Sequence, residues 1–399
     1  MPSNDAPLSG TTVLDFTRVL SGPYCTMLLA DMGARVIKIE QPGRGDDTRG
    51  WGPPFVSGES SYFLSINRNK ESLTLDLKSP SVRPIVDSLL DRTDVLVENF
   101  RPGTMERLGL SYEALSKRSP RLVYCSISGF GQTGPRRAEP GYDAVMQGEA
   151  GLMSITGPAD GPPYRLGVAI ADIVSGMFAA QGIAMALLAR VRTGRGQHVD
   201  IGMLDATAAL LTYQAGIYFA TGVTPGRMGN RHPTIVPYET FAASDGDFVV
   251  AVGNDEQWKR FCRIIDASAL AGDERFATNR ARVQNYQELK PLLVERLRTR
   301  TRSAWVEALK ADGVPCGSVR EVAEVLEDRQ LDARSMVETV DHISAGAIRV
   351  LGVPIKLSET PGSVRSAPPA LGQHTEQILR DDCGLSGAEI EALRGAKAI

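Results

Sequence analysis

Histidine is scarce in this chain: 399 residues hold only four (His198, His232, His342 and His374), none at metal-ligand spacing. HExxH, a GxSxG elbow and a GxxxxGK[ST] loop are all missing, which speaks against a zinc protease, a serine hydrolase and a P-loop enzyme. The five cysteines (Cys25, Cys125, Cys262, Cys316 and Cys383) are an odd number, far apart and without a CxxC pair. That pattern argues for free thiols in a reducing compartment and against a zinc ribbon. Residues 1–10, MPSNDAPLSG, lack the basic and apolar regions of a signal peptide, so the expected location is cytoplasmic. No basic stripe exists. The 44 basic and 47 acidic residues are intermixed with a net charge of −3, which argues against a nucleic-acid partner. Long apolar runs are also missing. Ile173–Ala189 is short for a membrane span, and Ala206–Gly226 is diluted by Thr207, Thr212, Gln214 and Thr221. Both read as helices buried in a core or a subunit interface, with no membrane partner expected.

A hydrophobic share of 42% against 23% charged excludes a disordered chain, and the length suggests two or three domains. The opening reads as a βαβ unit. Thr12–Phe16 is a strand, and Ser21-Gly22-Pro23 offers an N-cap and a first-turn proline for a helix ending at Gly33. Arg35–Glu40 is the next strand. Leu73–Leu77, Val95–Glu98, Leu122–Ile127 and His198–Gly202 follow as strands, with helices at Val82–Asp91 and Asp172–Arg190. Alternating strands and helices imply a parallel, doubly wound, Rossmann-like α/β domain over residues 1–225. A glycine- and arginine-rich loop, Gly226–Pro237, opens a smaller α/β domain over 226–330, with a strand at Phe248–Val252 and helices at Asp255–Asp266, Tyr286–Leu297 and Ser303–Lys310. Residues 331–399 read as a linker and a proline-rich segment returning to the large domain, closed by a helix near Ala388–Arg394.

One motif misleads. Gly129-Phe130-Gly131-Gln132-Thr133-Gly134 matches GxGxxG and follows a strand, but Pro135, Pro140 and Gly141 make its continuation a loop instead of a helix. The acid expected after a dinucleotide-binding turn, Glu40, belongs to a different βαβ unit, so a nicotinamide dehydrogenase is disfavoured.

Several segments together resemble the class III CoA-transferase family, which includes formyl-CoA:oxalate and carnitine CoA-transferases and shares its fold with α-methylacyl-CoA racemases. They are VLDFTRVLSGPYCTMLLADMGARVIKIEQPGRGDDTRGW (13–51), NRNKESLTLDLK (67–78), DVLVENFRPGTMERLGL (94–110), SISGFGQTGP (126–135) and GYDAVMQGEAGLM (141–153). ADIVSGMFAAQGI (171–183), TGRGQHVDIGMLDA (193–206), GNRHPTIVPY (229–238), DGVPCG (312–317) and PPALGQHT (368–375) continue the match nearly end to end. The resemblance implies that Asp172 is the nucleophile. A carboxylate can attack a thioester and exchange through a mixed anhydride and an aspartyl-CoA thioester, where a serine would stop at a stable ester. An aspartate before a long helix is also an ordinary N-cap. By the same resemblance Arg18, Val19, Leu20 and Ser21 line the CoA site, in a turn expected to present free backbone N–H groups to an anion. Leu75 to Lys78, Asn99, Phe100, Arg101, Arg107, Tyr142 and Asp143 are expected to add contacts. The resemblance further implies an interlocked homodimer and no cofactor or metal beyond CoA itself as substrate.

Two departures from the family pattern shape the substrate expectation. Formate-specific members carry a glutamine where this chain has Leu20, and their glycine-rich loop is replaced by Gly226–His232, which points away from formyl-CoA and oxalate. Within that loop Arg227, Gly229, Arg231 and His232 are the candidate substrate residues, with Arg231 or Arg227 pairing with the distal carboxylate of a dicarboxylic acid or of succinyl-CoA. The racemase branch is the alternative activity. Its histidine falls at Tyr142, and a phenol with a reference pKa of about 10 is a poor base at neutral pH. A non-catalytic acyl-CoA-binding protein is the third reading.

Overall fold

The computed structural model describes residues 6–399, so the leader reading of residues 1–10 falls partly outside the described residues. The chain divides into two units: residues up to Leu152 with Leu166–Ala215 and Arg329–Ile399, and Met153–Arg165 with Gly216–Asp328.

The first unit is built on a parallel sheet of six strands. These are β1 (Thr12–Asp15), β2 (Arg35–Glu40), β3 (Lys70–Thr74), β4 (Val95–Glu98), β5 (Val123–Ser128) and β6 (His198–Gly202). They lie in the order β3-β2-β1-β4-β5-β6, every neighbouring pair parallel. Alternate side chains feed two cores, as a strand buried on both faces requires. Leu14, Ile37, Leu73 and Leu96 pack under one layer of helices, and Val13, Val36, Val95 and Val123 under the other. The first layer includes α2 (Arg83–Leu90). The second includes α1 (Ser21–Asp31) and α4 (Ile170–Thr193), with α3 (Asp143–Glu149) beside them. The order reverses at β1 and β4, so their C-terminal ends frame the crevice where open α/β sheets bind ligands.

β3 begins three residues before the expected strand, because its register on β2 starts at buried Lys70, opposite Val36. α1 starts at Ser21, one residue earlier than an N-cap serine would have it. Leu20 occupies the cap position and supplies no side-chain hydrogen bond. The GxGxxG segment, Gly129–Gly134, runs as a loop. α4 is long and apolar enough to cross a membrane by length and composition. It buries Ala171, Ala179 and Ile183 against the sheet and leaves Met185, Leu188 and Val191 exposed. The second uncharged stretch is broken into α5 (Met203–Ala208) and α6 (Thr212–Thr221) at Thr212, whose φ is +36°. α6 buries none of its side chains within this chain.

The second unit holds an antiparallel sheet of β7 (Tyr238–Ala242), β8 (Asp247–Ala251) and β9 (Cys316–Ser318), with β8 central. Helices α7 (Asp255–Ile264), α8 (Tyr286–Leu297) and α9 (Arg302–Ala311) enclose Trp258, Phe261 and Trp305 with it. In the first unit, the hairpin β10 (Val337–His342) and β11 (Gly346–Leu351) precedes α10 (Thr375–Asp381) and α11 (Gly387–Gly395). This tail is tied to the sheet layer: the Ser363 N–H donates to Asp31 O at 3.0 Å and the Ser72 N–H to His374 Nδ1 at 3.2 Å.

Candidate active site

The chain leaving β1 makes a tight turn into α1, and side chains from elsewhere hold each step of it. Lys38 Nζ donates to Thr17 O at 2.7 Å. The Arg18 N–H donates to Asn99 Oδ1 at 2.9 Å while Asn99 Nδ2 returns a bond to Arg18 O at 2.7 Å. The Val19 N–H donates to Asp46 Oδ1 at 3.2 Å. The expected set of free N–H groups is therefore corrected: those of Arg18 and Val19 are already engaged. Val19 sits at φ +70°, a conformation that costs a β-branched residue of order 1–3 kcal/mol.

Beneath the turn lies a group of buried charges. Lys38 pairs with Asp46 at 2.9 Å, Lys70 with Asp15 at 3.3 Å and Arg49 with Glu40 at 2.7 Å. Burial opposes the charge on Asp46, but the Lys38 ammonium and the Thr48 N–H hold its carboxyl down at about 2. Burial dominates at Lys70, whose ammonium is pulled down to about 8 in spite of Asp15.

Asp172 is the third residue of α4, so it is not the N-cap. The cap bond comes from another helix: Asp143, the first residue of α3, accepts the Ala171 N–H through Oδ1 at 2.9 Å. Its Oδ2 accepts from Gln147 Nε2 at 2.8 Å, and Gln147 Oε1 takes the Leu166 N–H at 2.8 Å. With that work done by Asp143, the Asp172 carboxyl is left facing the cavity that it shares with Ser21. The helices meet closely enough for this because of Gly176, where a Cβ would lie 2.5 Å from Ser21 O. Burial first and the neighbouring Asp143 charge second push the Asp172 carboxyl up to about 7, with the nearby Ser21 hydroxyl acting the other way. It is thus an unusually basic carboxylate, suited to nucleophilic attack.

Two adjoining cavities collect most of the sequence candidates. The first, about 170 Å³, is lined by Asp172, Ser21, Val19, Asn99 and Tyr142, among others. The second, about 450 Å³, is lined by Leu75, Lys78 and Arg107. Arg18, Phe100 and Arg101 line both. Leu20 and Asp143 line neither. Leu20 packs on Met27 and Ile66, and Asp143 acts through α4. The basic side chains of the larger cavity suit an anionic ligand.

The loop residues lie in the second unit. Arg227 is spent on backbone, donating to Pro158 O at 3.3 Å and Gly161 O at 2.8 Å. Gly229 takes φ +62° and donates its N–H to Gly157 O at 3.0 Å. Arg231 stacks on the Tyr286 ring at 3.6 Å, and its buried Nε has no hydrogen-bond partner. His232 Nδ1 accepts the Thr234 N–H at 3.2 Å, and burial lowers its pKa.

Sequence reasoning missed Lys38, Arg44 and Asp47. Asp47 joins Arg44 at 2.6 Å to Arg18 at 3.2 Å at the mouth of the larger cavity. The available signal was the loop PGRGDD, whose Gly43 and Gly45 both have positive φ. Tyr62 was also missed. Its phenol is pushed up to about 12 by burial and by the charges of Asp172 and Asp143.

Comparison with known proteins agrees across the chain. The profile of CoA-transferase family III matches residues 8–375. The chain is 42% identical to a mouse succinyl-CoA:glutarate CoA-transferase, over 97% of this chain and 89% of the mouse protein. It is 45% identical to an acetyl-CoA:oxalate CoA-transferase of Acetobacter aceti, over 88% of this chain and 89% of that protein. The crystal structure of a CAIB/BAIF family protein from Brucella suis superposes with a TM-score of 0.85 at 42% identity, covering 95% of this chain and all of the other. The chain belongs to CoA-transferase family III and is an enzyme of that class.

Proposed function

We propose that this enzyme moves CoA from an acyl-CoA such as succinyl-CoA to a small dicarboxylic acid through an aspartyl-CoA thioester on Asp172. One observation carries the reading. Asp172 is freed from capping by Asp143, lies in a cavity with the Arg18–Ser21 turn, and has its carboxyl raised to about 7. In the first step a carboxylate oxygen of Asp172 attacks the thioester carbon, the C–S bond breaks, and CoA leaves as thiolate from a mixed anhydride. The thiolate then attacks the aspartyl carbon and releases the donor acid. The acceptor carboxylate repeats both steps in reverse order. No proton is gained or lost overall, and no cofactor besides CoA enters.

A dicarboxylic acceptor is supported by the names of the relatives, which include succinyl-CoA:glutarate CoA-transferases. The racemase alternative lacks its histidine at Tyr142, and Asp143 lines neither cavity, which leaves Asp172 as the base that branch would have to use. We also assign a homodimer, in which the exposed row Met185, Leu188 and Val191 of α4 is covered, and a cytoplasmic location, on the free cysteines.

The test is mass spectrometry of CoA esters after incubation in D₂O with succinyl-CoA, a panel of dicarboxylic acids that includes oxalate, and a chiral 2-methylacyl-CoA. A new dicarboxylyl-CoA made by the wild type and not by Asp172→Ala supports the reading. Deuterium at the 2-methylacyl α-carbon without a new ester overturns it in favour of racemisation. Neither product, with CoA bound, overturns succinyl-CoA as the donor.

A further inference from the structure

The strained residue of the CoA turn and the buried ion pair beneath it belong together. We infer that the Lys38–Asp46 pair is a positioning device for the acyl-CoA site: it holds Val19 in its left-handed conformation and so keeps the Arg18–Ser21 turn shaped for ligand. This deepens the proposed function and rests on its assignment of that turn to CoA.

The geometry is specific. Lys38 and Asp46 border the larger cavity, but both side chains are fully enclosed and their charged groups are turned to each other at 2.9 Å. Lys38 grips the carbonyl of Thr17 on the near side of the turn, and Asp46 grips the N–H of Val19 two residues later. The pair therefore spans the segment that carries the unfavourable φ. Asp46 is itself fixed, accepting from the Thr48 N–H at 3.0 Å and hydroxyl at 2.8 Å, and its own N–H donates to Glu40 Oε1 at 2.9 Å. Valine at φ +70° persists only where its surroundings over-determine it, and such positions cluster at functional sites. Val19 lines the same cavity as Asp172. A buried ion pair is a poor source of net stability, and here it secures a conformation that the local sequence would not adopt.

Glycine adopts this φ without strain, which supplies the test. Dissociation constants for CoA are measured by calorimetry on the full chain for Lys38→Met and Asp46→Asn, each with and without Val19→Gly. In the valine background each substitution is expected to weaken CoA about tenfold or more. In the glycine background the same substitution is expected to weaken it at most about threefold. A penalty equal in the two backgrounds overturns the inference, since the pair would then act independently of the turn. So does unchanged binding in both single variants. If Lys38→Met does not fold, the near-isosteric Asp46→Asn decides alone. Absence of CoA binding by the wild type would instead overturn the assignment of the turn, a distinguishable failure.

Discussion

Two groups of carboxylates lie close together in the first unit and are treated in opposite ways. Under the turn between β1 and α1, Asp15, Glu40 and Asp46 each have a cation within 3.3 Å: Lys70, Arg49 and Lys38. At the head of α4, neither Asp172 nor Asp143 forms an ion pair among the described residues, and the two aspartates feel each other instead. Burial penalises ionisation in both groups, so the difference lies in the company each carboxyl keeps. Asp46 is held down at about 2 and Asp172 is pushed up to about 7. The paired group builds a rigid floor. The unpaired carboxyl keeps a basicity that chemistry can use.

The comparison breaks if the two groups respond alike to mutation. The largest effect is expected in turnover: Asp172→Ala should lower CoA transfer by about a thousandfold or more while CoA still binds, read by steady-state rates and calorimetry. Loss of binding in step with turnover would make Asp172 part of the floor instead. In stability the order inverts. Asp46→Ala leaves the Lys38 ammonium buried and unpaired and should cost about 3–5 kcal/mol in denaturant unfolding, with no such loss for Asp172→Ala.

The pairing of the two aspartates is tested by pH. As the proposed nucleophile Asp172 would attack as the anion, so kcat/KM should rise with pH through about 7. Asp143→Asn removes the like charge and should shift that limb down by roughly one pH unit. An unmoved limb would assign it to another group. Geometry is tested by Gly176→Ala, whose methyl would meet Ser21 O at 2.5 Å. Forcing α4 from α1 should cost about 1–3 kcal/mol and lower kcat more than it weakens CoA binding. The smallest effect concerns stability against pH. The folded-state pKa of Asp172 is raised well above the ordinary carboxylate range, so the native protein binds its proton more tightly than the unfolded chain. Stability is therefore lost as pH rises from about 4 through 7, and Asp172→Asn should be a few degrees more stable than wild type at pH 8, with the gap closing by pH 5.

Much of the first unit was legible in the chain. β2, β4 and β6 fall where apolar periodicity places them, and Asp172 stands out at the start of a long apolar helix. The misplacement of β3 is instructive. Leu73, Leu75 and Leu77 alternate like a strand, yet the paired residues are Lys70–Thr74. Hydropathy cannot recognise Lys70 as interior, because what permits its burial is Asp15 and Asn67, one of them 55 residues away. The hairpin β10–β11 went unread for a related reason: its turn, Ile343-Ser344-Ala345, lacks the Asn-Gly type of signal that marks a tight hairpin. At the site, nothing local shows that Asp143 caps α4 across 28 residues, or that Val19 takes a positive φ.

What the sequence determined by itself was the alternation of strands and helices, the two-faced apolar pattern that makes the sheet parallel and enclosed, and a carboxylate at the head of α4. These depend on neighbours within a few residues. Tertiary structure alone decided which carboxylates received cations. Asp15, Lys38 and Lys70 come from β1, β2 and β3, and they meet only once those strands lie side by side in register. The electrostatic character of each acid follows from that meeting, because inside a protein a charge is governed by the few groups within several ångströms of it and by the water it has lost.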